Sequence, residues 1–274
     1  MFLLSQDADV GLTDDWRNTA LHYVTSELLK VSGFVECVTN ILTNKHVYMF
    51  IRNAVGMSAV QHSIAHAHGL LDLFHDTRSS DNIKQMYMYV DCHGNTPLHH
   101  AVGIYNKLKK FYISNHFSKT VDFLVKHGAD INAQNNAGLT PLHVAQGHEA
   151  IKACLRHADD RSFTITDKQG RNFWHLLFLL RDVVTMTTDT LHMLPASNAV
   201  YCKDHLRRTP LHHICIRENY SMLSNRFTEN FITILNAKLI INKKDKFKRT
   251  ALHYAAIVGI LELMYILEMN KADR

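Results

Sequence analysis

The eleven residues DCHGNTPLHHA, from Asp91 to Ala101, return along the chain in altered spellings, and this recurrence restricts the possible folds more than any other feature. The related phrases are DDWRNTALHYV from Asp14, NAVGMSAVQHS from Asn53, NNAGLTPLHVA from Asn135, DKQGRNFWHLL from Asp167, DHLRRTPLHHI from Asp204 and DKFKRTALHYA from Asp245. Aligned on Thr19, Ser58, Thr96, Thr140, Asn172, Thr209 and Thr250, they are separated by 39, 38, 44, 32, 37 and 41 residues. A period of that size matches one supersecondary unit per repeat.

Each phrase has a local physical reading. Thr, Ser or Asn at the anchor caps a helix N-terminus, because its side-chain oxygen accepts an orphan backbone N–H. Proline follows at 97, 141 and 210, the first helical position, where its missing N–H costs nothing. The Asp-x-x-Gly or Asn-x-x-Gly ahead of four anchors is turn chemistry. A glycine then announces a second apolar helix in GFVECVTNIL from Gly33, GLLDLF from Gly69, GHEAIKACL from Gly147 and GILELMYIL from Gly259. Helix, loop, helix, turn is the unit these signals predict.

With those residues in view, the chain resembles an ankyrin-repeat array, whose unit is about 33 residues with a T-P-L-H-x-A signature. TPLH stands verbatim at 96–99, 140–143 and 209–212, and TALH at 19–22 and 250–253. The resemblance covers essentially all 274 residues. It implies an all-α fold, an ankyrin-repeat solenoid of stacked helix-turn-helix units with short β-hairpin-like turns. A single array over 1–274 is expected, with repeats starting near 14, 53, 91, 135, 167, 204 and 245 and with 1–13 as the tail of a preceding repeat.

Departures from the pattern carry expectations of their own. Gln61 replaces the histidine, and Asn172, Phe173 and Trp174 replace Thr, Pro and Leu, so less regular packing is expected in those two repeats. Thr96 to Ala129 spans 33 residues where Thr250 to Ala272 spans 22, which places an insertion near 105–117; a second extension is expected near 217–230. Both ends fall inside the repeating pattern, and LELMYILEM at 261–269 lacks the polar outer face of a capping repeat. Flanking repeats or domains, in this chain or another, are therefore expected to cover the ends.

Composition excludes several classes. With 46% hydrophobic and 20% charged residues the chain is not a disordered polypeptide. The longest apolar runs, such as FWHLLFLL at 173–180, are far short of a bilayer span, and MFLLSQDADV is a poor secretory signal. Five cysteines, odd in number and without a C-x-x-C pair, fit reduced thiols and a cytoplasmic or nuclear residence.

The chain holds 20 histidines, and six of them, His22, His99, His143, His175, His212 and His253, occupy the repeat's own position. With Thr19, Thr96, Thr140, Thr209 and Thr250 they are read as structural, bracing turn and helix start, since a buried imidazole needs polar partners. His100, one place further on, is not explained by the repeat. His62, His66 and His68 lack a completing ligand for zinc, and in the set Cys202, His205, His212, His213 and Cys215 the repeat already accounts for His212. No metal and no cofactor is expected. Phosphate-binding loops, H-E-x-x-H and G-x-S-x-G are absent, so no enzyme is predicted and no catalytic residue is named.

The net charge of +5 is unevenly spread: residues 201–250 carry +7, leaving −2 for the rest. The family resemblance implies that a protein partner docks on the concave face and hairpin tips. The tips become basic at Lys168 and Arg171, then Lys203, Arg207 and Arg208, then Lys243, Lys244, Lys246, Lys248 and Arg249, with Phe247 at the last tip. These residues are the candidate partner-binding set, and an acidic protein is the partner they favour. A cytosolic regulatory domain of a larger channel or toxin is the alternative. Nucleic acid is disfavoured because no aromatic stacking platform accompanies the charge.

Overall fold

The structure is a computed structural model that describes residues 9–24, 33, 36–38, 50–65, 89–103, 114–145, 147–177, 190, 193–195, 198–216 and 240–270. Its helices are α1 (Ala59–Ala65), α2 (Pro97–Gly103), α3 (Ser114–Lys126), α4 (Pro141–Val144), α5 (His148–Leu155), α6 (Phe173–Leu177), α7 (Pro210–Ile216), α8 (Ala251–Val258) and α9 (Leu261–Met269). Short 3-10 turns run over Ala20–Tyr23, Asp160–Phe163 and Asn198–Tyr201. Among the described residues there is no β-strand, only isolated bridges from Thr13 to Thr19 and from Arg52 to Ser58 that pinch two of the turns. The fold is all-α and belongs to the helical-solenoid class.

The chain divides into two compact units, Met1–Asn136 and Ala137–Arg274. In the first, Ala20–Tyr23 packs on α1, α1 on α2, and α2 on α3. In the second, α4 packs on α5 and α6, α6 on α7, α7 on α8, and α8 on α9. Within each unit the stacking thus follows chain order.

A fixed register places the core. Two residues after each anchor stand Leu21, Val60, Leu98, Leu142, Trp174, Leu211 and Leu252, all buried. Five after it stand Val24, Ser63, Ala101, Ala145, Leu177, Ile214 and Ala255, again all buried. Positions three apart share a helix face, which is why this spacing lines one side of so short a helix. In the Asn172 repeat, where looser packing was expected, Phe173 and Trp174 are fully buried and meet Phe163 in a cluster of ring centroids 5.6 to 6.2 Å apart. Aromatic volume fills there the space that Pro and Leu leave elsewhere.

The insertions expected at 105–117 and 217–230 lie largely or wholly outside the described residues, as do residues 1–8, His66, His68 and the segment from Gly69. The glycine-led second helix is seen at α5, which follows Gly147, and at α9 after Gly259.

Turns join neighbours through the backbone. In each unit a turn's second residue donates its N–H to the third residue of the turn before it, as Ala54 to Trp16 at 2.8 Å, His205 to Gln169 at 3.0 Å and Lys246 to Leu206 at 2.8 Å. The fourth turn residue is left-handed: Gly170 has φ 75° and a Cβ there would lie 2.5 Å from the His205 ring and 3.0 Å from its backbone nitrogen. Gly259, at the end of α8, has φ 77° but open space around it. Gly259→Ala is therefore expected to cost about 1 kcal/mol from backbone strain alone, and Gly170→Ala more, about 2–3 kcal/mol, because its Cβ also forces two turns apart. Urea unfolding of the two variants measures the difference.

Candidate functional site

The repeat histidines are built into a bracket. The anchor's backbone N–H donates to the imidazole Nδ1 three residues on, at 3.0 Å for Thr19 and His22, 3.1 Å for Thr96 and His99, 3.0 Å for Thr140 and His143, 3.2 Å for Asn172 and His175, 3.1 Å for Thr209 and His212, and 3.3 Å for Thr250 and His253. This is a capping box in which histidine takes the place of the usual Glu or Gln. Because Nδ1 accepts, the proton sits on Nε2. In the repeats of His22, His175 and His212 that proton is donated to the carbonyl just ahead of the next anchor, Met57 at 3.1 Å, Arg208 at 3.1 Å and Arg249 at 3.2 Å respectively. Gln61 reproduces half of the bracket, its Oε1 accepting from Ser58 at 2.9 Å, while its amide turns to Tyr89.

A second device closes each turn onto its helix. The Asp or Asn that opens the turn accepts, through Oδ1, the N–H groups two and four residues on; for Asp204 these are Leu206 at 2.9 Å and Arg208 at 2.8 Å. Nine residues after that carboxylate stands its side-chain partner: Tyr23 for Asp14, His100 for Asp91 at 3.1 Å, His213 for Asp204 at 3.0 Å and Tyr254 for Asp245 at 2.7 Å. His100 therefore has a structural role of its own, which the linear sequence concealed because the pair spans a turn and a helix start.

The candidate partner-binding residues all fall in the second unit, and the structure sorts them. Arg171, Arg208 and Arg249 each clamp their own turn's Asp167, Asp204 and Asp245, with Nη2 to carboxylate distances of 2.6, 2.7 and 3.0 Å. Such forked pairs hold a buried carboxylate as part of the fold. Arg249 also lies between the rings of Phe247 and Tyr254, 4.7 and 4.5 Å from their centroids. Lys168, Lys203, Arg207, Lys243, Lys244, Lys246 and Lys248 are exposed, and Phe247 is 60% exposed. Partial burial and the positive charges of Arg207 and Lys243 push the Lys203 ammonium below its ordinary value, so these three cations share one neighbourhood.

Two of the basic tips pay for their position in strain. Arg207 at φ 59° and Lys248 at φ 63° occupy the left-handed slot held by Gly56, Gly94, Gly138 and Gly170 in other turns, as does Arg17 at φ 60°. Aligning the phrases shows a basic residue in the glycine column, the one signal from which sequence could have found this.

Of the metal sets considered, His212 is held by Thr209, His213 by Asp204, and Cys215 donates its thiol to the Leu211 carbonyl at 3.3 Å. Among the described residues no group of three potential ligands is placed to hold a metal ion, and no helix is long and apolar enough to cross a membrane.

The buried imidazoles make the fold acid-sensitive. Burial, with His213 nearby, drives His175 from 6.5 down to about 4. Between those values the unfolded chain binds a proton that the folded chain refuses, so stability is full above pH 6.5 and falls as pH drops towards 4. His175→Gln copies the Gln61 solution and removes this proton. It is expected to flatten part of the acid limb of stability, by up to ~3 kcal/mol, in urea melts run across that range; an unchanged limb would exclude His175 as a source.

Comparison with known proteins gives the same architecture. The sequence model of the ankyrin repeat matches residues 93–136. The human transient receptor potential cation channel subfamily A member 1 is 28% identical over 140 residues, which is 50% of this chain and 12% of the channel. Ankyrin repeat protein FPV031 of fowlpox virus is 30% identical over 164 residues, 58% of this chain and 38% of the viral protein. The chain thus spans well under half the length of either relative.

Proposed function

Since this is an ankyrin-repeat chain, built from a module that generally mediates protein–protein contact, we propose that it is a non-catalytic binding protein that captures an acidic protein partner through the turn tips of its second unit. One observation carries the reading. Lys203 and Arg207 at one turn and Lys243, Lys246 and Lys248 at the next are exposed, and the Lys246 N–H bond to the Leu206 carbonyl at 2.8 Å holds the two turns side by side, while the arginines beside them are already paired with turn aspartates. Adjacent tips of one sign raise association rates with an acidic surface and make the affinity salt-dependent. Exposed Phe247 adds an apolar contact at the rim of the patch. The five cysteines are thiols, which suits a cytoplasmic or nuclear setting.

A second reading rests on the similarity to the human channel, of which the matched region covers only 12%. In that case these repeats are the regulatory part of a larger membrane protein, and the full-length protein from its source cells would sediment with membranes and resist salt extraction.

The first reading is tested by reversing Lys203, Arg207 and Lys246 to Glu, which leaves the three turn arginines in place. Affinity capture from cell extract at rising salt is expected to show partner binding lowered about tenfold or more, with a flatter salt dependence. Unchanged capture removes the tips from consideration, and retention of duplex or single-stranded nucleic acid in place of protein overturns the choice of partner.

A further inference from the structure

The turn that opens each repeat keeps its third residue outside. Val55, His93, Ala137, Gln169 and Leu206 are all exposed, although the next turn is bonded to the carbonyl of each one. Exposure at this position therefore belongs to the turn itself, and Phe247 shares it at 60%. What differs is chemistry: Ala137 and Gln169 are small or polar, whereas Leu206 and Phe247 are large and apolar.

These two apolar tips are neighbours, since the Lys246 N–H donates to the Leu206 carbonyl at 2.8 Å. Each is followed by a cation in the left-handed slot, Arg207 at φ 59° and Lys248 at φ 63°, and Lys246 stands on the other side of Phe247. All three cations are exposed. Arg249 plays a different part. Its guanidinium is tied to Asp245 at 3.0 Å and lies 4.7 Å from the centroid of the Phe247 ring, which braces that ring from one side. The apolar anchor is thus held in place before anything binds.

The mixture of side chains dictates what can cover it. A partner that buries Phe247 also strips water from Lys246 and Lys248, and a cation desolvated without an opposing charge costs more than the apolar contact returns. A purely acidic partner leaves Leu206 and Phe247 wet and forgoes their burial. We propose that these two tips take a polypeptide segment in which a large apolar side chain is flanked on both sides by Asp or Glu. The apolar group lies against Leu206 and Phe247, and the carboxylates meet Arg207, Lys246 and Lys248. In an extended segment residues two apart face the same way, so one face presents an apolar group between two carboxylates. This names the chemistry of the acidic partner and rests on that reading.

Calorimetric titration of the 274-residue chain with three synthetic peptides of equal length tests it. The first has a central Leu flanked by Glu, the second replaces that Leu by Ser, and the third keeps the Leu but replaces every Glu by Gln. The first is expected to bind about tenfold tighter than the second, and the third not measurably. Phe247→Ser or Leu206→Ser is expected to narrow that preference while leaving the affinity for the second peptide unchanged; both sites are exposed, and unchanged melting curves check the fold. Equal binding of the first two peptides overturns the apolar half of the proposal and leaves the acidic-partner reading standing. A preference that survives both substitutions overturns the placement on these tips. Binding of neither acidic peptide overturns the proposal as a whole, and capture at rising salt then decides the acidic-partner reading by itself. A single-stranded oligonucleotide that binds more tightly than the first peptide overturns the choice of a polypeptide.

Discussion

The structure depends on one side chain used twice. The imidazole three residues after each anchor accepts the anchor's N–H at the start of its own helix and, in the repeats of His22, His175 and His212, donates to the carbonyl ahead of the next one. A first helix of four to eight residues would not persist alone in water, because nucleation fixes several dihedrals for one hydrogen bond. The bracket supplies that missing nucleus and ties it to a neighbour in the same step. Buried neutral imidazole is required for this, so burial lowers the proton affinity of His22, His175 and His212.

The aspartate sockets complement the brackets at the other end of each phrase. Asp204 collects two backbone N–H groups, a guanidinium and His213, and the carboxyl is held far below the usual range despite its burial. Removing one partner would leave a buried charge short of donors, which costs more than the pair itself contributes. The conflict between an exposed tip and a buried hinge is thereby resolved within five residues: Asp204 and Arg208 hold the turn, and His205 and Arg207 face solvent.

Much of this was legible in the sequence, and the parts that were not have physical reasons. Repeat register, helix starts and the all-α class follow from residues a few positions apart, such as Thr140 with Pro141 and His143. The partner of His100 was not legible, because Asp91 lies nine residues away and meets it only after the turn has closed. Arg171, Arg208 and Arg249 look like free surface charge when listed along the chain, but the turn brings each guanidinium onto its own aspartate. The aromatic Asn172 repeat read as a flaw since pattern matching scores identity, whereas packing responds to volume.

The left-handed tips at Arg207 and Lys248 have a consequence beyond their strain. A glycine in that slot leaves the loop many alternative shapes, whereas a side chain with a Cβ closes most of them. A cationic tip held in this way has little freedom left to lose, so under the proposed function the enthalpy of contact would be less eroded by ordering.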